Sequence, residues 1–293
     1  MAQNYRRAHL EWMRLAEEAI RNSDYEGAAR FLRYVSVYFG LVNDSPRRRE
    51  FARKAGECYL QAARVFENKK DLPKAVLLGI KATGCFRESG SEELASACDA
   101  LIRKQHTSIV QEGGNSYETI SDLKSVGDYF TRKGDSGNAV SCYRMAAEKA
   151  YERGKVALSA GLYVDLGGRY RSLGDLEMAA ENYGDAAGRY FECERYFEAA
   201  RYYCESGLLF IRVHDLDRAH SMAERAETAC VEGRIEFVWN YLSRVCRLLS
   251  ERDPQSAMEI WGRIRRKFKR SNIELVDSCF SVVRQIRDKN RES

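Results

Sequence analysis

Val126–Ala146 reads VGDYFTRKGDSGNAVSCYRMA, and Leu166–Ala186 reads LGGRYRSLGDLEMAAENYGDA. The two stretches carry one pattern, offset by 40 residues. An apolar residue precedes a glycine (Val126-Gly127, Leu166-Gly167), and an aromatic follows (Phe130, Tyr170). Then come Gly134-Asp135 and Gly174-Asp175, and finally Ala139, Tyr143, Ala146 against Ala179, Tyr183, Ala186. Ser206-Gly207, Phe210, Asp215, Ala219, Ala223 and Ala226 form a third copy, with weaker ones around Asp24, Asp71 and Asp253. A repeat of this length marks a solenoid, in which each unit buries its apolar face only by stacking on its neighbours.

Each position has a mechanical reason. Leu166 and Tyr170 are i, i+4 neighbours on one helix face, and Gly167 lets a partner helix come close. Gly174 suits the left-handed position that ends a helix. Asp175 caps the next helix by accepting from its free N–H groups. Ala179, Tyr183 and Ala186 make that helix's packing stripe.

Asp followed four residues later by Ala recurs at Asp24/Ala28, Asp71/Ala75, Asp135/Ala139, Asp175/Ala179, Asp215/Ala219 and Asp253/Ala257. Ser91/Ala95 and Arg195/Ala199 keep the spacing with other residues at the cap. These starts predict fourteen helices: 3–22, 25–42, 46–68, 72–88, 91–111, 116–133, 136–153, 155–173, 176–192, 195–213, 216–232, 234–251, 254–270 and 272–289. Gly113-Gly114 ends the fifth, and Asp288–Ser293 reads as a frayed tail. Pro46, Pro73 and Pro254 each fall in a first turn, where the missing N–H costs little. Breaks of two to four residues force antiparallel neighbours. The predicted fold is all-α: a TPR-like (tetratricopeptide-like) antiparallel helix-hairpin solenoid, a right-handed superhelix. It is read as one continuous domain over 1–293, in which 234–293 can close into a C-terminal helical bundle lobe. The usual TPR period is shorter, and the proline that ends its second helix is replaced here by Tyr151 and Phe191.

Composition narrows the function. No apolar run reaches the ~18 residues a membrane span needs. The N-terminus, MAQNYRRAHLEW, lacks a signal-peptide pattern. Nine cysteines without a C-x-x-C read as reduced core thiols of a cytoplasmic protein. His9, His106, His214 and His220 form no H-E-x-x-H, and there is no phosphate-binding glycine loop or G-x-S-x-G. No cysteine has a histidine near it in sequence. No enzymatic activity, cofactor or metal is expected.

The net charge of +5 is uneven. Arg244–Ser293 holds 13 Lys/Arg against 7 Asp/Glu, a net +6 that leaves −1 for the remainder. Its focus is Arg263-Ile264-Arg265-Arg266-Lys267-Phe268-Lys269-Arg270. At helical spacing Trp261, Ile264 and Phe268 face inward and leave Arg263, Arg265, Arg266, Lys267, Lys269 and Arg270 outside. Three readings fit: a solvated polar cap for a solenoid end, a docking patch for an acidic protein surface, or a contact for nucleic acid or anionic lipid. The docking patch is carried forward, with no nucleic acid expected. Arg47-Arg48-Arg49 reads as the exposed first turn of a helix, where cations oppose the dipole. The series Tyr163, Tyr170, Tyr183, Tyr190-Phe191, Tyr196-Phe197 and Tyr202-Tyr203 reads as inter-helix packing, with a minority free to line a groove.

Fourteen long TPR-like helices resemble the soluble NSF attachment proteins (SNAPs). Glu11-Trp12-Met13 with Leu15-Ala16-Glu17, and the hairpin from Asp253-Pro254-Gln255-Ser256-Ala257 to Ile286, anchor the likeness. It implies a non-catalytic adaptor that links a SNARE-like helical bundle to an AAA+ disassembly ATPase in vesicle fusion and membrane trafficking. Membrane association would be peripheral at most. Asn22-Ser23-Asp24 stands where family members of the alpha type carry an apolar, glycine-rich loop that touches membrane. The tail Asp288–Ser293 lacks their acidic ending and leucine, and Ile120 and Gly161 stand where their basic contacts lie. No individual contact residue is therefore carried over. A TPR-like regulator that binds a peptide or a domain, with a basic C-terminal docking patch, is the alternative.

Overall fold

The computed structural model describes the backbone of residues 2–111, 117–236 and 238–292, and the side chains of 8–111, 117–236 and 238–288. Gly113-Gly114 and the side chains of the last five residues lie outside these. The described residues form fourteen α-helices and no strand. They are α1 Ala2–Arg21, α2 Tyr25–Leu41, α3 Ser45–Asn68, α4 Leu72–Ser89, α5 Glu92–Gln111, α6 Ile120–Arg132 and α7 Ser136–Glu152. Then follow α8 Val156–Leu173, α9 Leu176–Glu192, α10 Tyr196–Arg212, α11 Leu216–Glu232, α12 Val238–Ser250, α13 Pro254–Ile264 and α14 Arg270–Glu292. A 3-10 turn, Arg265–Lys267, separates the last two.

Most breaks are one device repeated. At eleven of them a single residue takes a positive φ, between 50° and 83°. The N–H of the next residue bonds the carbonyl five positions back at 2.8–3.0 Å, which is the Schellman closure of a helix. Glycine holds the left-handed position at Gly90, Gly134, Gly154 and Gly174. Ser23, Asn43, Lys70, Glu194, His214, Arg234 and Arg252 hold it elsewhere. The following Asp then caps: Asp24, Asp44, Asp71, Asp175, Asp215 and Asp253 each accept from the N–H three residues on. Arg195 makes no side-chain cap bond. Ala28, Ala75, Ala139, Ala179, Ala219 and Ala257 are all buried.

Three expected boundaries move by four residues or more. The sixth helix starts at Ile120 rather than 116, because Thr119 and Asp122 form a reciprocal capping box. The twelfth starts at Val238 rather than 234, because Arg234 is the left-handed residue of the turn before it. The thirteenth stops at Ile264 instead of running to 270.

The chain divides into two compact units, Met1–Cys142 and Tyr143–Ser293, and the division falls within α7. In the first unit, α1 to α5 each pack on the next, and α4 also reaches α6. Gly56 of α3 sits under the Phe86 ring of α4, where an added Cβ would come within 2.8 Å. Arg47 pairs with Asp44 and lies over Phe39, while Arg48 pairs with Glu88, so this cluster has the partners that the helix dipole denies it. In the second unit α10 is central. It packs against α9, α11, α12 and α14, and every residue from Tyr203 to Ile211 is buried. A helix buried all round must be covered on every side. Gly167 of α8 receives the Tyr183 ring of α9, with 2.8 Å left for an added Cβ. This is the small-against-large fit read from the repeat.

All nine cysteines are free; Cys58 and Cys193 are half-buried and the other seven buried. Burial pushes the thiols of Cys85, Cys98 and Cys230 up to about 11 and that of Cys279 up to about 12.

Candidate protein-docking site

The basic run is not a helix face. Asp253 caps α13 and Pro254 opens it. Trp261 and Ile264 then point into the core, as the spacing predicts. The helix ends there, and Arg265–Lys267 make a single 3-10 turn. Phe268 is extended, its N–H bonded to the Arg265 carbonyl at 3.2 Å. Phe268 still faces inward, with its ring 5.5 Å from both Trp261 and Trp239. The tighter 3-10 winding spreads successive side chains by about a third of a turn each, so the charges fan out rather than form a stripe.

Arg263, Arg265, Arg266, Lys267, Lys269 and Arg270 are all exposed. Arg265 pairs with Asp277, which also accepts from Trp261 Nε1 at 2.9 Å and so ties the turn to α14. Arg270 pairs with Glu274 at 2.9 Å. Such exposed pairs contribute little stability. Arg263, Arg266, Lys267 and Lys269 have no carboxylate partner among the described residues.

Beside this turn lies a cleft of about 420 Å³. Phe197, Ile235, Val238, Trp239 and Phe268 make up its apolar lining. Arg201, Lys267 and Lys269 border it, and among the described residues no carboxylate lines it. Phe197 is 54% exposed and meets Trp239 edge to face at 6.0 Å. Tyr163, Tyr183, Tyr190 and Tyr203 of the aromatic series are buried. Phe197 is the member that faces outward, which its sequence context does not single out.

The first unit also has a concavity, about 450 Å³, bordered by Glu26, Asp71, Lys74, Lys81 and Asp122. Its two lysines each lie 3.5 Å from Glu26, and with Glu118 also in the lining the carboxylates outnumber them, the opposite sign to the cleft of the second unit. Ile120, a position of interest from the resemblance, is buried in this unit.

One polar constellation escaped the sequence. His106 Nδ1 lies 2.9 Å from the Tyr117 hydroxyl, and its Nε2 lies 3.4 Å from Cys142 Sγ. All three residues are buried. A neutral imidazole has one donor and one acceptor nitrogen, so it can serve both partners. Burial pushes the His106 pKa down to about 4 and the Cys142 thiol well up. A thiol held protonated is a poor nucleophile, so this chain of contacts serves the interior. Among the described residues no group of three His, Cys, Asp or Glu could hold a metal ion, and no helix is long and apolar enough to cross a membrane.

Stacked TPR-like hairpins with an open, charged cleft define the class: a helical-repeat protein-interaction adaptor. The model of the soluble NSF attachment protein family, SNAP, matches residues 47–256, and the chain belongs to that family. No curated protein matches it. Among solved structures, BtubC (BKLC) from P. vanneervenii is similar at 15% identity, covering 80% of this chain and 94% of its own, with a TM-score of 0.41. The MamA protein is similar at 16% identity, covering 79% and 97%, with a TM-score of 0.31.

Proposed function

We propose that the chain is a non-catalytic cytoplasmic adaptor of SNARE disassembly, acting in vesicle fusion and membrane trafficking. Its repeat surface holds a SNARE-like helical bundle, and its basic connection, residues 263–270, docks on an AAA+ ATPase. It needs no cofactor, binds no nucleic acid, and touches membrane only peripherally. Residues 1–293 work as one continuous repeat domain. Family membership supports the partner classes. The observation that carries the docking patch is the set of four exposed cations with no carboxylate partner among the described residues, which leaves their field available to an acidic surface. The ATPase face that meets it is expected to be acidic.

The test is a pull-down from native extract at rising salt, with the full chain and a variant neutralised at Arg265, Arg266, Lys267 and Lys269. Loss of an AAA-type ATPase from the variant supports the reading. Retention of every partner sinks the patch. Steeply salt-dependent nucleic-acid binding would replace it with another function.

A further inference from the structure

The cleft beside the basic connection has a composition that neither the packing nor the charge alone requires. Three rings, Phe197, Trp239 and Phe268, meet in an unbroken row that runs from solvent inward to buried Trp261. Phe197 would cost little to replace by a polar residue for folding, since its outer half covers nothing. Lys267 and Lys269 flank Phe268 in the chain and border the same cleft, so apolar and cationic groups converge on one space.

We propose that this cleft binds a short acidic peptide segment that carries one apolar anchor. The anchor, an aromatic or large aliphatic side chain, fills the space between Phe197, Trp239 and Phe268. Acidic side chains on either side of it meet Lys267 and Lys269. The inference rests on the reading of the connection as a docking surface and supplies its ligand chemistry. Charge complementarity selects the occupant: among the described residues the lining holds three cations and no carboxylate, and of the three Arg201 is already paired, to Glu205 at 3.0 Å. Interfaces of this kind are held by an apolar anchor in a pocket with charges at the rim. Ring geometry favours a side chain over a nucleobase. Phe197 and Trp239 cross at 88°, and Trp239 and Phe268 at 81°. Crossed rings form a notch, whereas base stacking needs open parallel faces.

The probes are two peptides of equal charge with carboxyfluorescein on the N-terminal amine, Glu-Asp-Phe-Leu-Asp-Glu-amide and Glu-Asp-Gly-Ser-Asp-Glu-amide, titrated into the full chain. Neither contains tryptophan, so a change in the emission of Trp12, Trp239 and Trp261 that Trp239→Phe removes reports on the cleft alongside anisotropy. The first peptide is expected to bind roughly tenfold or more tighter than the second, a difference of about 1.4 kcal/mol. Phe197→Ser is expected to remove that difference, and Lys267→Glu with Lys269→Glu to abolish binding of both. Arg263→Glu with Arg266→Glu, outside the lining, should weaken both equally and mildly. Equal binding of the two peptides, unchanged by Phe197→Ser, overturns the cleft while leaving the docking patch standing. No binding of either up to about 1 mM, a free energy of roughly −4 kcal/mol, overturns the cleft as a peptide site. The pull-down then judges the patch by itself. Displacement of the first peptide by a twenty-nucleotide thymidine oligomer assigns the cleft to nucleic acid and overturns the proposal.

Discussion

Two connections send an aromatic ring back into the unit they belong to, and they do so with opposite results. Before α6, Tyr117 enters the first unit, is fully buried, and meets His106 with its hydroxyl. Before α14, Phe268 enters the second unit, stays half-buried, and leaves a cleft beside it. Around Tyr117 the polar end has a partner and the ring is enclosed, so Tyr117 completes the packing of the interior. Around Phe268 the rings meet edge to face, the flanking residues are lysines, and the space is open. A long connection is thus no sign of function in itself. What matters is whether its inward residue finishes the packing or leaves apolar and charged groups uncovered together.

The contrast can be broken by experiment. Tyr117→Ala is expected to cost about 3–5 kcal/mol, as for other large buried aromatics. Phe268→Ala should cost no more than about 2 kcal/mol, since part of its surface is already wet. Equal losses in urea titrations would mean that the two connections do the same job. The polar partner of Tyr117 gives a second handle. His106 is neutral in the folded chain, its pKa pushed by burial from 6.5 down to about 4. Unfolded chains take up that proton near pH 6.5 and folded ones do not. Stability is therefore fully present above about 6.5 and falls as pH drops towards 4, by roughly 3 kcal/mol at most. His106→Gln is expected to flatten that slope; an unchanged slope would show that His106 is not the group responsible.

Smaller effects separate packed helix faces from the open one. Gly167→Ala presses on the Tyr183 ring and is expected to cost about 1–3 kcal/mol. Gly262 of α13 has nothing within 4 Å of an added Cβ. Gly262→Ala should therefore stabilise, by about 0.5–1 kcal/mol, through helix entropy alone. A melting temperature that falls in both variants would place a neighbour against α13. The smallest change is expected from Lys267→Glu with Lys269→Glu, within about 0.5 kcal/mol, because both are exposed and have no carboxylate partner among the described residues. A larger loss of stability would make these lysines part of the fold and would weaken their reading as a docking surface.

Much of the fold was legible because its rules are local. Gly167 beside Leu166, Asp175 as a cap, and Ala179 as a contact each act within one or two turns, and a fixed period repeats them. The family resemblance was legible for the same reason, since it rests on helix number and register. The turn at Arg265–Lys267 was not legible. Trp261, Ile264 and Phe268 have helical spacing, and an extended Phe268 reaches the same interior by another route. The cleft joins residues from α10, α12, the 3-10 turn and α14, so no spacing in the chain brings Phe197 to Trp239 and Phe268. His106 and Cys142 are 36 positions apart and meet only once α5 and α7 are placed.

The nine cysteines turn the chain into its own clock. Cys58, Cys85, Cys98 and Cys142 lie in the first unit, and Cys193, Cys204, Cys230, Cys246 and Cys279 in the second. A thiol reagent in solution reaches Cys58 and Cys193 first, because these two are half-buried. The other seven must wait for the chain to open around them. Mass spectrometry of partly labelled protein therefore counts opening events and assigns each to a region. A continuous repeat domain would release its seven hidden thiols at one common rate. Two independent units would tick at two.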